Sequence, residues 1–568
     1  MTTSSEYYDD VESRYSVTSS KRLETTPRGG AAPSLSHPRS NGVGQIPRVI
    51  FSSFATMSTS TPSSSSKFSS KTAPVNINDG LDVCPESLPS FEKKSKTFDS
   101  LLLDSLGGFG RYQFIQFFLL CLPTIFVAMH VMSWTFMSVG SPVSCTQIKN
   151  ETVCVSSKYS AADRWEMNGA NSWMKASVQS FYFFGQMTGS FLCGIMADRI
   201  GRKKVFFLSL VIQTSCGLML IVTPWWWLYA IFKAGTGFTQ PGIFGIAVVL
   251  GMELVGAQYR SLGAIVANLF CTVGQVILAI LAYFIDDYRV FHAAIAVPSL
   301  IFLSYWWIIR ESARWLVSKE RYDEAHLILN RAAKINKKFI PANWMEYMGH
   351  SAQSNQASKI SSFGVFDLVR TPQMRLRSLT CFFVWPVTTM MYYGLTMKSD
   401  LGGGNLYVNF VISAVMEVPA LIATYLLIDR VGRKPLVSGG LLVAGTALVF
   451  NWAVGDNVSY VFGMSQMMVT KGAVTLAYTA MYTYTSELFP TVIRNTAVGC
   501  CSTVSRVGAI TSSYIALYLV ERYGKLTMVV PFAVLAIAAA VFSWILLPET
   551  MNKEMPETIS QVENQEKI

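Results

Sequence analysis

Long apolar runs separated by short polar breaks fill residues 113–547. A helix must carry about 18 or more mostly apolar residues to cross the hydrocarbon of a bilayer, and these runs have that length. Twelve spans are predicted, over 113–138, 173–197, 204–223, 228–252, 261–285, 291–309, 378–397, 405–428, 435–454, 459–485, 495–520 and 527–547. The fold class that follows is an all-α integral membrane protein. A polar loop, 139–172, follows the first span. A longer polar segment parts the sixth span from the seventh, and Arg321 to Lys334 within it has the spacing of an amphipathic helix.

The organisation predicted is a tail over 1–100, a first half over 101–310, a central loop over 311–376, a second half over 377–550 and a short tail over 551–568. The first hundred residues are rich in Ser, Thr and Pro and have too few large apolar residues to offset chain entropy, so they read as disordered. They lack the short apolar core of a signal peptide.

Composition agrees with the pattern. The 568 residues are 51% hydrophobic and 14% charged, against roughly 25% charged in soluble domains. The formal charge is +11, and its distribution gives orientation. Arg199, Arg202, Lys203 and Lys204 follow the second span, Arg430, Arg433 and Lys434 follow the eighth, and twelve Lys and Arg lie from Arg310 to Arg377. Basic loops stay on the cytoplasmic side, which places both termini there and the 139–172 loop outside. No basic stripe with interleaved aromatics is present, so nucleic acid is not an expected partner; the bilayer is. Of ten cysteines, Cys145 and Cys154 share the outer loop with the sequon Asn150-Glu151-Thr152. A disulfide and a glycan are expected there.

Three motifs recur in order. Asp198-Arg199-Ile200-Gly201-Arg202-Lys203 returns as Asp429-Arg430-Val431-Gly432-Arg433-Lys434, offset by 231 (429 − 198). Glu253 and Arg260 return as Glu487 and Arg494 at an offset of 234 (487 − 253), and Glu311-Ser312 returns as Glu549-Thr550 at 238 (549 − 311). Conserved order and offset mean two six-span halves related by a parallel repeat. Gly201 and Gly432 suit tight turns. Asp198 and Asp429 are expected to satisfy free helix amides. The basic residues either set topology alone or pair with Glu253 and Glu487 as a latch between the halves.

Gly194-x-x-x-Asp198-Arg199-x-Gly201-Arg202-Lys203 and its second copy resemble the signature of the major facilitator superfamily. Glu311-Ser312-Ala313-Arg314-Trp315-Leu316 resembles the motif after span 6 of its sugar porters and organic-ion transporters. Glu487-Leu488-Phe489-Pro490-Thr491-Val492-Ile493-Arg494-Asn495, Gly110-Arg111-Tyr112-Gln113 and Val418-Pro419-Ala420 are similar to the organic cation, organic anion and carnitine transporters. The resemblance covers about residues 105–560 and implies alternating access around a cavity between the halves. The outer loop departs from many of these relatives in having two cysteines only.

Charges inside spans are costly and mark cavities or partners. Arg506, Lys471, Glu417 and Lys233 are such charges, Lys233 near enough to a span end to snorkel. Arg506 either lines the cavity or pairs with Glu417. The resemblance implies a substrate sign: cation transporters usually have Asp at the Arg506 position, anion and carnitine transporters Arg. A guanidinium holds a carboxylate bidentately, and Glu417 with aromatics suits a quaternary ammonium. The resemblance also places Phe244, Asn268, Trp385, Tyr392 and Thr479 on the cavity wall. Trp385 and Tyr392 lie seven apart on one helix face. His130 and His292 read as packing residues. No metal-spaced cluster and no phosphate loop is present, so no cofactor, ATP-driven pump or enzyme is expected. The function expected is transport of a small organic zwitterion or cation of the carnitine or betaine kind. An organic cation carrier or an organic anion exchanger is the alternative, and a membrane receptor or nutrient sensor is the alternative of another class. The coupling ion is left open.

Overall fold

The computed structural model describes residues 106–140, 143–148, 151–156, 159–256, 259–341, 344, 365–454, 459–553 and 555–564. The tail over 1–100, the sequon residue Asn150 and part of the central loop lie outside them.

Among the described residues twelve long helices run in chain order: α1 (Arg111–Met137), α2 (Trp173–Ile200), α3 (Arg202–Val222), α4 (Trp226–Leu254), α5 (Arg260–Phe284) and α6 (Tyr288–Ile308) form the first half. The second half is α7 (Pro372–Met397), α8 (Leu406–Leu427), α9 (Arg433–Val454), α10 (Tyr460–Leu488), α11 (494–523) and α12 (Leu526–Leu546). Shorter helices are named by residue. Among the described residues, eight of the twelve are apolar and long enough to cross a membrane by composition alone; α2, α7, α10 and α11 fall short. Those four pack together: α2 lies on α11 across the halves, and α7 lies on α10 and α11. Helices that meet around a polar seam carry Ser, Thr, Lys and Arg where lipid-facing helices carry Leu and Val.

Glycines let α2 and α4 approach closely. Gly185 and Gly189 of α2 face the backbone of Ala234 and Phe238, and Gly237 of α4 faces that of Tyr182, so a side chain at any of the three meets backbone. Prolines loosen α4 and α6. Pro241 opens a π-turn in α4, and Pro298 precedes the 3₁₀ turn Leu300–Ser304 in α6. α7 begins six residues before its apolar run. Its first turns are anchored by buried Arg377, which donates to the Leu488 carbonyl at 3.0 Å.

The outer loop adds one element to the helical fold. Strands β1 (Val143–Ile148) and β2 (Glu151–Ser156) form an antiparallel hairpin whose register sets Cys145 opposite Cys154. Tyr159 bridges to Asp287, which ties the loop to the α5–α6 connection.

The repeated motifs form two equivalent corners at the end bearing the basic loops. Gly201 has φ 112° and Gly432 φ 104°, and each turns the chain between two helices. The amides just after each turn are capped by a carboxylate from far along the chain. Glu311 accepts from Arg202 N at 3.0 Å and Lys203 N at 3.1 Å. Glu549 accepts from Arg433 N at 3.1 Å and Lys434 N at 3.0 Å. The expectation gave this role to Asp198 and Asp429. The structure gives it to Glu311 and Glu549, because the two aspartates precede the turn and their side chains point outward, where each meets an arginine guanidinium (Arg202 at 3.2 Å, Arg433 at 2.9 Å).

Candidate functional site

α8 breaks at Met416, between Leu406–Val415 and Glu417–Leu427. Pro419 has no amide to offer the Val415 carbonyl, which explains the break. Glu417 therefore opens a helix segment in mid-membrane. Its carboxylate meets three groups: Lys471 Nζ of α10 at 3.1 Å, the Tyr392 hydroxyl of α7 donating at 2.8 Å, and Gln275 Nε2 of α5 donating at 3.2 Å. The last bond crosses from one half to the other. Lys471 Nζ also sits 3.7 Å from the centre of the Tyr392 ring and donates to Thr396 Oγ1. Glu417 and Lys471 are both buried, so the pair is desolvated and its partners are needed to hold two charges there.

Arg506 lies halfway along α11 and is 5% exposed. Its polar surroundings are Tyr393, Tyr478 and Tyr482. Nε and Nη1 are buried without a hydrogen-bond acceptor, and among the described residues no carboxylate lies within ion-pair distance. The alternative of an Arg506–Glu417 pair is not what forms: Lys471 takes Glu417. Tyr392 stacks on Tyr478 at 5.3 Å and 15°, so two parallel rings stand between the Glu417–Lys471 pair and Arg506. The result is a balanced ion pair at one end of the tyrosine group and, at the other, a cation that has tyrosines but no carboxylate beside it.

Trp385 is fully buried, its indole donating to Thr485 Oγ1 at 3.0 Å and its ring 4.6 Å from Tyr482. It props the tyrosine group from behind. Phe244 packs into the core of the first half. Asn268 donates to the Ala264 carbonyl and Thr479 to that of Thr475, each within its own helix. No hydrogen bond or ring contact among the described residues joins these three to the cluster. Lys233 does not snorkel. It is fully buried in the first half and donates to the His130 carbonyl at 2.7 Å and Ser133 Oγ at 2.6 Å. His292 meets the Tyr229 hydroxyl at 2.7 Å. Sequence reading missed Tyr393, Tyr478, Tyr482 and Gln275. Lys471, Tyr478 and Tyr482 stand seven and four apart, one face of α10, so that stripe was readable.

The repeated ion pairs stay inside each half. Arg202 meets Glu253 at 3.4 Å, and Arg433 meets Glu487 at 3.0 Å. Arg199 and Arg430 are exposed. Arg260 donates to the Met252 carbonyl, and Arg494 meets Met555 Sδ. The pair that does join the halves lies at the opposite end: Lys175 of α2 to Glu521 of α11 at 3.0 Å. Ser177 and the Tyr514 hydroxyl meet beside it at 3.2 Å, and Phe136 stacks on Tyr407 at 5.4 Å. Among the described residues, side-chain hydrogen bonds, ion pairs and ring contacts between the halves lie in mid-membrane or toward this hairpin end. The halves are tied together there.

The model of the sugar (and other) transporter family matches residues 120–561. The chain belongs to that family. It is a multi-pass membrane transporter of major facilitator fold. It is 34% identical over 519 residues to the organic cation transporter protein of Drosophila melanogaster, covering 82% of this chain and 94% of that one. It is 32% identical to the organic cation/carnitine transporter 2 of Homo sapiens, covering 70% and 71%. Among solved structures, the inward-open xylose transporter XylE from E. coli matches with a TM-score of 0.59 at 18% identity, covering 80% of this chain and all of that one. The last likeness speaks for the fold.

Proposed function

We propose that the protein carries a small organic zwitterion of the carnitine or betaine kind across the plasma membrane, its carboxylate on Arg506 and its quaternary ammonium at Tyr392 and Glu417. The observation that carries this reading is Arg506: a buried guanidinium with two unpartnered nitrogens and no carboxylate near it. Burying an ion in that way is costly unless a ligand completes it. The Tyr392 ring carries the Lys471 ammonium 3.7 Å from its centre, so this ring suits a cation. Relatives named for organic cations and carnitine fit the same chemistry. On this reading the basic loops face the cytoplasm, which puts both termini inside, the hairpin outside and the contacts between the halves toward the outer side. Cys145 opposite Cys154 supports a disulfide in that loop.

One observation favours a second substrate sign. Lys471 already neutralises Glu417, which leaves the site with one net positive charge and suits a plain organic anion. Uptake of carnitine, a simple quaternary cation and an aryl carboxylate by wild type and Arg506→Ala separates the readings. Carnitine uptake that depends on Arg506 supports the zwitterion. Aryl carboxylate uptake alone, lost in the variant, selects the anion. Cation uptake that survives the substitution returns Arg506 to a structural role.

A further inference from the structure

The basic end of the first half holds a cavity of about 500 Å³, lined by residues 106–111, Tyr259 and 335–338. None of its lining residues belongs to the Arg506–Glu417 cluster. Three lining side chains are cationic, Arg111, Lys337 and Lys338, and among the described residues none that lines the cavity is acidic. Among the described residues these three make no ion pair. Three like charges around one small cavity repel one another and focus a positive potential into it.

The cavity is built. Asn336 ends the helix Tyr322–Asn336 and clasps the start of α1. Its Oδ1 accepts from Tyr112 N at 2.8 Å, and its Nδ2 donates to Gln113 Oε1 at 2.7 Å and to the Leu106 carbonyl at 3.2 Å. Lys337 then turns left-handed, φ 55°, and Lys338 N returns to the Ala333 carbonyl at 2.9 Å. This closure sets both lysines beside Arg111.

An apolar track leads from the cavity into the membrane. Phe109 of the cavity wall, then Phe114, Phe118 and Phe270 follow one another at ring separations of 6.2, 6.3 and 5.5 Å. The first three rings are 44%, 57% and 45% exposed. Phe270 lies five positions before Gln275, about 140° around α5. Gln275 bonds to the second half, so the track faces away from the seam between halves and toward lipid.

We propose that this cavity binds the headgroup of an anionic phospholipid, with an acyl chain lying along Phe114 and Phe118. A cationic cavity opening on a lipid-facing aromatic track fits a ligand with one charged and one apolar part. A free phosphate would use the cations and leave the track idle.

The test is native mass spectrometry of the full chain released from nanodiscs of phosphatidylcholine and phosphatidylserine in equal parts. Wild type should retain the serine lipid preferentially. Each removed cation should lower that preference about fivefold, so Lys338→Gln loses about fivefold, and Arg111→Gln with Lys337→Asn and Lys338→Gln about a hundredfold. Lys338→Arg should keep it. An unchanged preference in the triple variant, or in Lys338→Gln if the triple variant fails to fold, overturns the proposal. So does full displacement of the lipid by millimolar inorganic phosphate, which makes the cavity a site for a soluble anion.

Discussion

Each half buries in mid-membrane a cation with no carboxylate partner, Lys233 and Arg506, and the two are finished differently. Lys233 of the first half is closed by its own helices: two oxygens accept from Nζ, and the Tyr182 ring lies 5.5 Å away. Arg506 of the second half is left with two nitrogens unfilled. Both side chains pay desolvation, but only the first is repaid by the fold itself. The difference teaches that an intramembrane charge is a functional candidate when its donors outnumber the acceptors around it, and a structural one when they balance.

The comparison can be broken. Arg506→Ala should lower uptake of a carboxylate substrate about a hundredfold or more, with surface expression kept, since a desolvated charge-assisted contact is lost. If uptake persists and only thermal stability falls, Arg506 is as structural as Lys233. Lys233→Met should do the reverse. It removes the two hydrogen bonds to Ser133 Oγ and the His130 carbonyl and should cost about 2 kcal/mol of stability, read as a lower melting temperature, with KM within about twofold. A raised KM at unchanged melting temperature would move the substrate site into the first half.

Smaller changes sharpen the contrast between halves. Glu311→Gln and Glu549→Gln each weaken one helix cap and should destabilise by about 1 kcal/mol. Equal shifts in melting temperature are expected; a shift confined to one variant would show that only one corner depends on its cap. Lys175→Gln removes a partly exposed pair worth at most about 1 kcal/mol. It should make a cysteine placed at Ser177 a few times more reactive to an impermeant thiol reagent from outside. No change would mean that the aromatic contacts alone close that end.

Most of the architecture was legible because it rests on period and count. Twelve apolar runs became twelve helices, and three motifs at offsets of 231 to 238 became two equivalent corners. Limits appeared where the chain folds back on itself over long distances. Nothing local in Glu311 says that it caps a helix starting 109 residues earlier (311 − 202), so Asp198, close by, received the role. Tyr392 and Trp385 come from the family resemblance and share a helix face, but Tyr393 and Gln275 are set by packing between helices, and their neighbours carry no fixed spacing. Lys233 was misplaced because depth in a span was counted from its end, while its environment comes from α1 and α2.

The long-range caps also bear on how the protein is made. During synthesis α3 enters the membrane with its first amides uncovered, and its cap does not exist until the ribosome has passed residue 311. The same delay separates α9 from residue 549. Each half therefore seals itself with its own last residues, independently of the other. Two polypeptides divided within residues 345–364 would each retain a complete set of caps and should meet in the membrane to restore uptake, whereas a division before Glu311 should strand the first half unsealed for quality control to remove.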